Sequence, residues 1–238
     1  MKLNLTDINY FFLTCNNEIR KTHMISEFKN LNLIEVNPVM NIGKKRSGAT
    51  GFMRIFDLAC VYQDKTKPFQ PFGIFEDDAI KNREFPTQIE IPDNADILYT
   101  GLSCCGINKT RYCFTVAFDN IDENIIKIYN MLSLHGLIVC SMRGLLSLQK
   151  CILEDYFNNR DWDICVAQIQ PYLNVYAFKN PLVYQYGKIG GQEPETNINY
   201  IDKANISLPD EWINTQNVSI ITTYKKQDKA LMIYNNSK

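Results

Sequence analysis

The sequence predicts an α/β fold with a mostly parallel central sheet, on three observations. First, it opens on a strand, a helix and a strand between Ile8 and Val36, at the spacing of a βαβ unit. Such a unit favours parallel strands joined by right-handed crossovers. Second, its apolar runs stop abruptly at polar or glycine-bearing segments, and the ligand crevice of an open α/β sheet lies beyond the strands' carboxyl ends. Third, 238 residues, 45% of them apolar and 21% charged, suffice for one large domain with a sizeable core.

Taken in order, Ile8–Leu13 reads as a buried first strand that ends at Thr14-Cys15-Asn16-Asn17. Glu18–Phe28 reads as a helix with Ile19, Met24, Ile25 and Phe28 inward, followed by a strand over Leu31–Val36. Gly43–Gly51 is a basic, glycine-bearing loop. It lacks the spacing of a P-loop, but it leads into a helix N-terminus, where free N–H groups favour anions. Helix 51–63 presents Phe52, Ile55, Phe56, Ala59 and Cys60 on one face. Phe72, Ile74 and Phe75 form the next strand. Lys81–Asp93 is a polar connection, Asp96–Gly101 a strand, and Ser103–Asn120 irregular. Strands are expected over Ile125–Met131 and Leu134–Cys140, and an amphipathic helix over Met142–Tyr156 on Leu145, Leu148 and Ile152. Asp161 is the expected N-cap of a further helix, with Asp163 in its first turn. Val175–Phe178 is a strand, Pro181–Gln185 is extended, and Val218–Tyr224 with Ala230–Tyr234 reads as a hairpin.

The chemistry concentrates where the third strand runs into Glu76, Asp77 and Asp78. Three adjacent carboxylates repel one another, and burying an unpaired charge is costly. A hard divalent ion, Mn²⁺ or Mg²⁺, would resolve the conflict, since such ions share one or two carboxylates with a substrate's phosphates. A solvated acidic turn is the plainer alternative. Strand alternation puts Glu76 and Asp78 on one side and Asp77 on the other, so it does not choose the ligand.

Composition excludes some classes. Lys plus Arg total 25 against 26 Asp plus Glu, which creates no field for nucleic acid. The longest apolar runs fall well short of the ~20 residues that span a bilayer. Met1–Asp7 has no apolar signal core, and none of the eight cysteines forms a Cys-x-x-Cys pair. Buried reduced thiols in a cytoplasmic protein are therefore expected.

With these pieces in sequence, the chain resembles the glycosyltransferases of family 25, which include lipopolysaccharide-type and procollagen-galactosyltransferase-type enzymes. Four places carry the likeness. They are the opening strand through Arg20, helix 51–63, Phe75-Glu76-Asp77-Asp78-Ala79, and the run from His135 to Gln185 containing Asp161-Trp162-Asp163 and Pro181–Gln185. The likeness spans roughly residues 8–186; within it residues 102–133 align poorly, and the tail has no counterpart. It implies a GT-A fold, a Rossmann-like α/β/α sandwich, with residues 1–186 binding a nucleotide sugar and catalysing transfer. Residues 187–238 would be a loop and hairpin packed on the same domain.

The resemblance implies a nucleoside-diphosphate sugar as donor, with UDP as the nucleotide, and a glycan or glycosylated protein as acceptor. Asp78 would hold Mn²⁺ or Mg²⁺ with Glu76 assisting, and Asp77 would assist or bind ribose. Thr14, Asn16, Arg20, Lys45, Arg46, Arg54 and Gln185 would face the donor. Each of those cations taken singly also reads as a solvated charge, and Gln185 as the end of a strand. Asp163 would be the general base of an inverting transfer, or only a helix-start residue. His135 would serve metal or acceptor, or be structural. A nucleotide- or glycan-binding scaffold without turnover and a nucleotidyltransferase remain as alternatives.

Overall fold

The computed structural model describes residues 1–185 other than 64–65, 104–105, 109–110, 114–115, 133 and 159–160, together with 213–214. The order of elements is β1 (Lys2–Asn4), β2 (Asn9–Leu13), α1 (Glu18–Glu27), β3 (Asn32–Val36), α2 (Lys44–Tyr62), β4 (Phe72–Glu76), β5 (Ala79–Lys81), β6 (Gln88–Glu90) and β7 (Ile97–Tyr99). Then come β8 (Gly106–Asn108), β9 (Arg111–Cys113), β10 (Ala117–Asn120), β11 (Ile125–Ile128), β12 (Gly136–Val139), α3 (Met142–Asn158), α4 (Trp162–Ile169), β13 (Val175–Phe178), β14 (Val183–Gln185) and β15 (Ile213–Asn214). The expected tail hairpin lies outside the described residues. No helix among the described residues is long and apolar enough to cross a membrane.

The α/β expectation holds, but the sheet is mixed rather than mostly parallel. Nine strands run in the order β15-β10-β11-β13-β7-β12-β4-β2-β3. The expected parallel opening is present, since β2 pairs in parallel with both β3 and β4. β12 then inserts antiparallel to both β4 and β7. β11 runs against both β10 and β13. The antiparallel β10–β11 pair follows from local chemistry: the Asp122 carboxylate accepts from the amides of Asn124 (2.7 Å) and Ile125 (2.8 Å), which turns the chain back. The stretches read as irregular or merely polar also contain strands, β8 to β10 in one and β6 in the other, with β6 pairing β1; β5 ends at Lys81, where the polar stretch begins.

Side-chain alternation along the strands builds a core on each face. Phe11, Phe72, Ile74, Ile97, Tyr99, Leu137 and Val175 pack beneath Phe52, Ile55 and Phe56 of α2, Leu145, Leu148 and Ile152 of α3, and Trp162 and Val166 of α4. On the other face Tyr10, Phe12, Phe75, Leu98 and Ile138 pack with Met24 and Phe28. Phe75 stacks on both Tyr10 (5.0 Å) and Phe28 (4.7 Å). Gly73 makes room for that stack, because a Cβ there would lie 2.0 Å from the Tyr10 ring.

Two helix readings change. In α1, Met24 and Phe28 are buried as expected, but Ile19 and Ile25 are exposed. The buried stripe is Arg20, Met24 and Phe28 at i, i+4 and i+8, which admits a cation because a carboxylate lies opposite. α2 begins at Lys44 rather than 51, so the basic loop is mostly the helix's first two turns. Gly43, at φ +95°, stands just before it. Gly51 is held where it is by contact: a Cβ would sit 2.1 Å from Leu13 Cδ1. Cys60 of α2 is exposed, as is Cys15, whereas Cys140, Cys151 and Cys165 are buried as expected.

Candidate functional site

β2 and β4 run side by side to a common end, with Leu13 opposite Glu76. Alternation from Phe72 and Ile74 turns Glu76 toward the face covered by α2, α3 and α4. The strand stops there, and Asp77 and Asp78 form the turn into β5. β5 pairs antiparallel with β14, which sets Gln185 opposite Ala79. The Gln185 amide then donates to Glu76 Oε2 (3.0 Å) and Asp78 Oδ2 (3.3 Å). From α1, Arg20 Nη1 donates to Asp77 Oδ1 at 2.6 Å and lies 3.8 Å from Asp78 Oδ2. Asn17 fixes the start of that helix by accepting from the amides of Ile19 (3.1 Å) and Arg20 (3.2 Å). The acidic triplet is thus a buried cluster in which, among the described residues, Arg20 and Gln185 bind the carboxylates, not a solvated turn.

Its electrostatics follow from that packing. Burial, with repulsion from Asp78, Asp163 and Asp77, raises the Glu76 carboxyl well above the ordinary range, and Arg20 opposes this. Asp163 sits in the first turn of α4, where its Oδ1 accepts from the Ile164 amide (2.8 Å). Burial raises its proton affinity too. Asp161 stands at the expected cap position without capping; its carboxylate pairs instead with Lys45 Nζ at 2.7 Å.

His135 precedes β12, and its carbonyl accepts from the Glu76 amide (3.4 Å). Its ring is buried against Gly101, where a Cβ would lie 2.0 Å from Nε2. Burial pushes its pKa down to about 4. A residue missed by the sequence reading is Tyr99, whose buried hydroxyl accepts from Gln170 Nε2 (3.3 Å) and lies in the field of Asp163 and Glu76. The available signal was its position at the end of a strand that stops in Thr100-Gly101.

The structure therefore gathers Arg20, Glu76, Asp77, Asp78 and Gln185, with Asp163 near enough to repel Glu76 and His135 beside them through the backbone. It places other candidates elsewhere. The Thr14 hydroxyl lies 2.9 Å from both Glu35 Oε1 and Asn37 Oδ1. Arg54 donates to the Asn37 carbonyl (2.6 Å), and Arg46 lies 5.8 Å over the Tyr156 ring. Asn16 is exposed in the left-handed region, at φ 56°.

No group of three or more His, Cys, Asp or Glu side chains among the described residues is arranged to hold a metal ion. Glu76 and Asp78 nonetheless present oxygens to one shared donor, Gln185 Nε2. Two hard oxygen ligands completed by substrate phosphates are a usual way to bind Mg²⁺, so the residues present fit such an ion. Neither a protein-family model nor a curated protein matches the chain.

Proposed function

We propose that the chain is a metal-dependent glycosyltransferase that moves a sugar from a nucleoside-diphosphate donor to an acceptor hydroxyl with inversion, on a GT-A-type scaffold. The observation that carries this reading is the buried convergence of Glu76, Asp77, Asp78 and Asp163 at the carboxyl end of β4, where Arg20 opposes their charge at Glu76. That excess of negative charge favours a cation. Asp78 and Glu76 hold Mn²⁺ or Mg²⁺, which when bound neutralises the departing diphosphate. Arg20 and Gln185 set the orientation of the three carboxylates. Asp163 accepts the acceptor's proton, and burial, by raising its proton affinity, makes it a stronger base than a free aspartate.

The test is donor binding by calorimetry, across UDP-sugars, with Mn²⁺ and with excess chelator. Binding should need the metal, and Asp78→Asn should weaken it in a folded protein. Asp163→Asn should keep donor affinity and lower transfer on the order of 10²–10⁴-fold. Equal donor affinity in chelator would remove the metal from the reading. Normal turnover by the Asp163 variant would reduce that residue to a helix-start role.

A further inference from the structure

A second polar cluster lies where α2, α3 and α4 meet. Asp155 comes from the last turns of α3, Asp161 from the residue before α4, Asp163 from its first turn, and Lys45 from the first turn of α2. Lys45 is bound to Asp161 at 2.7 Å, so one cation holds the start of α4 against α2. Trp162, the first residue of α4, is wedged on Phe52 (3.7 Å) and Phe56 (6.2 Å) of α2. Two buried polar atoms here lack a hydrogen-bond partner among the described residues: Asp155 Oδ1, an acceptor, and Trp162 Nε1, a donor. Both residues are 6% exposed. A buried carboxylate with an unsatisfied oxygen is costly when ionised and much less so when protonated.

We propose that Asp155 is the proton sensor of a latch, formed with Lys45 and Asp161, that sets how firmly the first turn of α4 is held against α2. Protonated, Asp155 leaves Lys45 to Asp161 and α4 stays docked. Ionised, it repels Asp161 and Asp163 and competes for Lys45. A shift of α4 then lets water or the Trp162 N–H reach its oxygen. The groups acting on Asp155 are Asp161 and Asp163 on the α4 side and Lys45 on the α2 side. Burial first, and repulsion by Asp161 next, push its pKa up to about 6, so the latch operates near neutral pH. Because Asp163 rides on the same turn, the latch would regulate transfer if Asp163 is the base. That consequence alone rests on the function proposed above.

The sequence has two tryptophans, so Trp212→Phe leaves Trp162 as the sole indole reporter. In that background the Trp162 emission should shift to the red as pH rises from 5 to 7.5, with a midpoint near the Asp155 pKa. Asp155→Asn should abolish the transition. Lys45→Met keeps Asp155 and removes the cation that favours its ionised form, so the midpoint should move to higher pH. Denaturation should show wild type losing, relative to Asp155→Asn, on the order of a hundredfold in folding equilibrium between pH 4 and 7. A flat Trp162 signal in the parent, a transition that survives in Asp155→Asn, or an unmoved midpoint in Lys45→Met would each overturn the latch. None of these readouts uses donor, metal or transfer, so failure of the proposed activity leaves the result interpretable.

Discussion

His135 sits in a place where a charged ring is penalised. The ring is 2% exposed, packed on Gly101, and its pKa falls from 6.5 to about 4 through burial. It is therefore neutral at pH 7, which suits a structural or acceptor-contacting ring and not an acid. The sign follows from linkage. A histidine whose folded pKa lies below its unfolded value lends stability that is present above the unfolded pKa and lost as pH falls through the folded one. The difference is worth roughly 3 kcal/mol once the ring is fully charged. Urea titrations of wild type and His135→Gln should diverge in slope between pH 6.5 and 4, with wild type losing stability on acidification relative to the variant. Parallel pH profiles would mean that the ring gains a compensating partner when charged.

At the scale of elements, α2 decides how the basic glycine segment is read. Gly48 and Gly51 lie on one helix but in different surroundings: a Cβ at 48 meets nothing within 4 Å, whereas one at 51 meets Leu13 at 2.1 Å. Gly48→Ala should stabilise by up to ~1 kcal/mol, because alanine restricts the unfolded chain and fits the helix. Gly51→Ala should cost ~1–3 kcal/mol through overpacking against β2. If thermal unfolding moved both variants the same way, residues 44–51 would be a loop as the sequence suggests. The first two turns of the helix were missed because glycine and serine carry no apolar period; the close approach of α2 to β2 at Gly51 is revealed only by the packed structure. α1 misled for a related reason. Its buried stripe contains Arg20, and hydropathy alone ranks Ile19 and Ile25 above a guanidinium whose partner lies 57 residues away. The β2, β4, β7 and β13 strands were legible because each is a short, nearly continuous apolar run bounded by polar or glycine-bearing stops. The acidic triplet and Gln185 were legible as candidates too. The strand pair that joins Gln185 to Ala79 was not, because pairing between short strands distant in sequence leaves no local signal.

For the molecule as a whole, pH acts through opposed sets of groups. Glu76, Asp155 and Asp163 all bind protons more tightly than free carboxyls do, so their contribution to stability is present at low pH and declines as pH rises through their folded pKa values. His135 works in the other direction. Ligand binding at the carboxyl end of β4 should have its own profile. A divalent ion and a proton compete for Glu76, since a metal ligand must be deprotonated. Because Glu76 holds its proton well above the ordinary carboxylate range, that competition should set in at a higher pH than it would for an unperturbed glutamate. With free Mn²⁺ fixed, calorimetry of UDP-sugar binding should therefore weaken on acidification from pH 7.5 to 5.5, approaching about tenfold per pH unit once Glu76 is mostly protonated. Glu76→Gln keeps the side chain's shape and an oxygen for Gln185, but it cannot titrate. The variant should bind more weakly at pH 7.5 and lose most of the pH dependence. A steep profile that persists in Glu76→Gln would assign the competing proton to Asp78 or the diphosphate. A flat profile in wild type would mean that Glu76 is no ligand at all, and that Asp78 alone anchors the ion from the turn after β4.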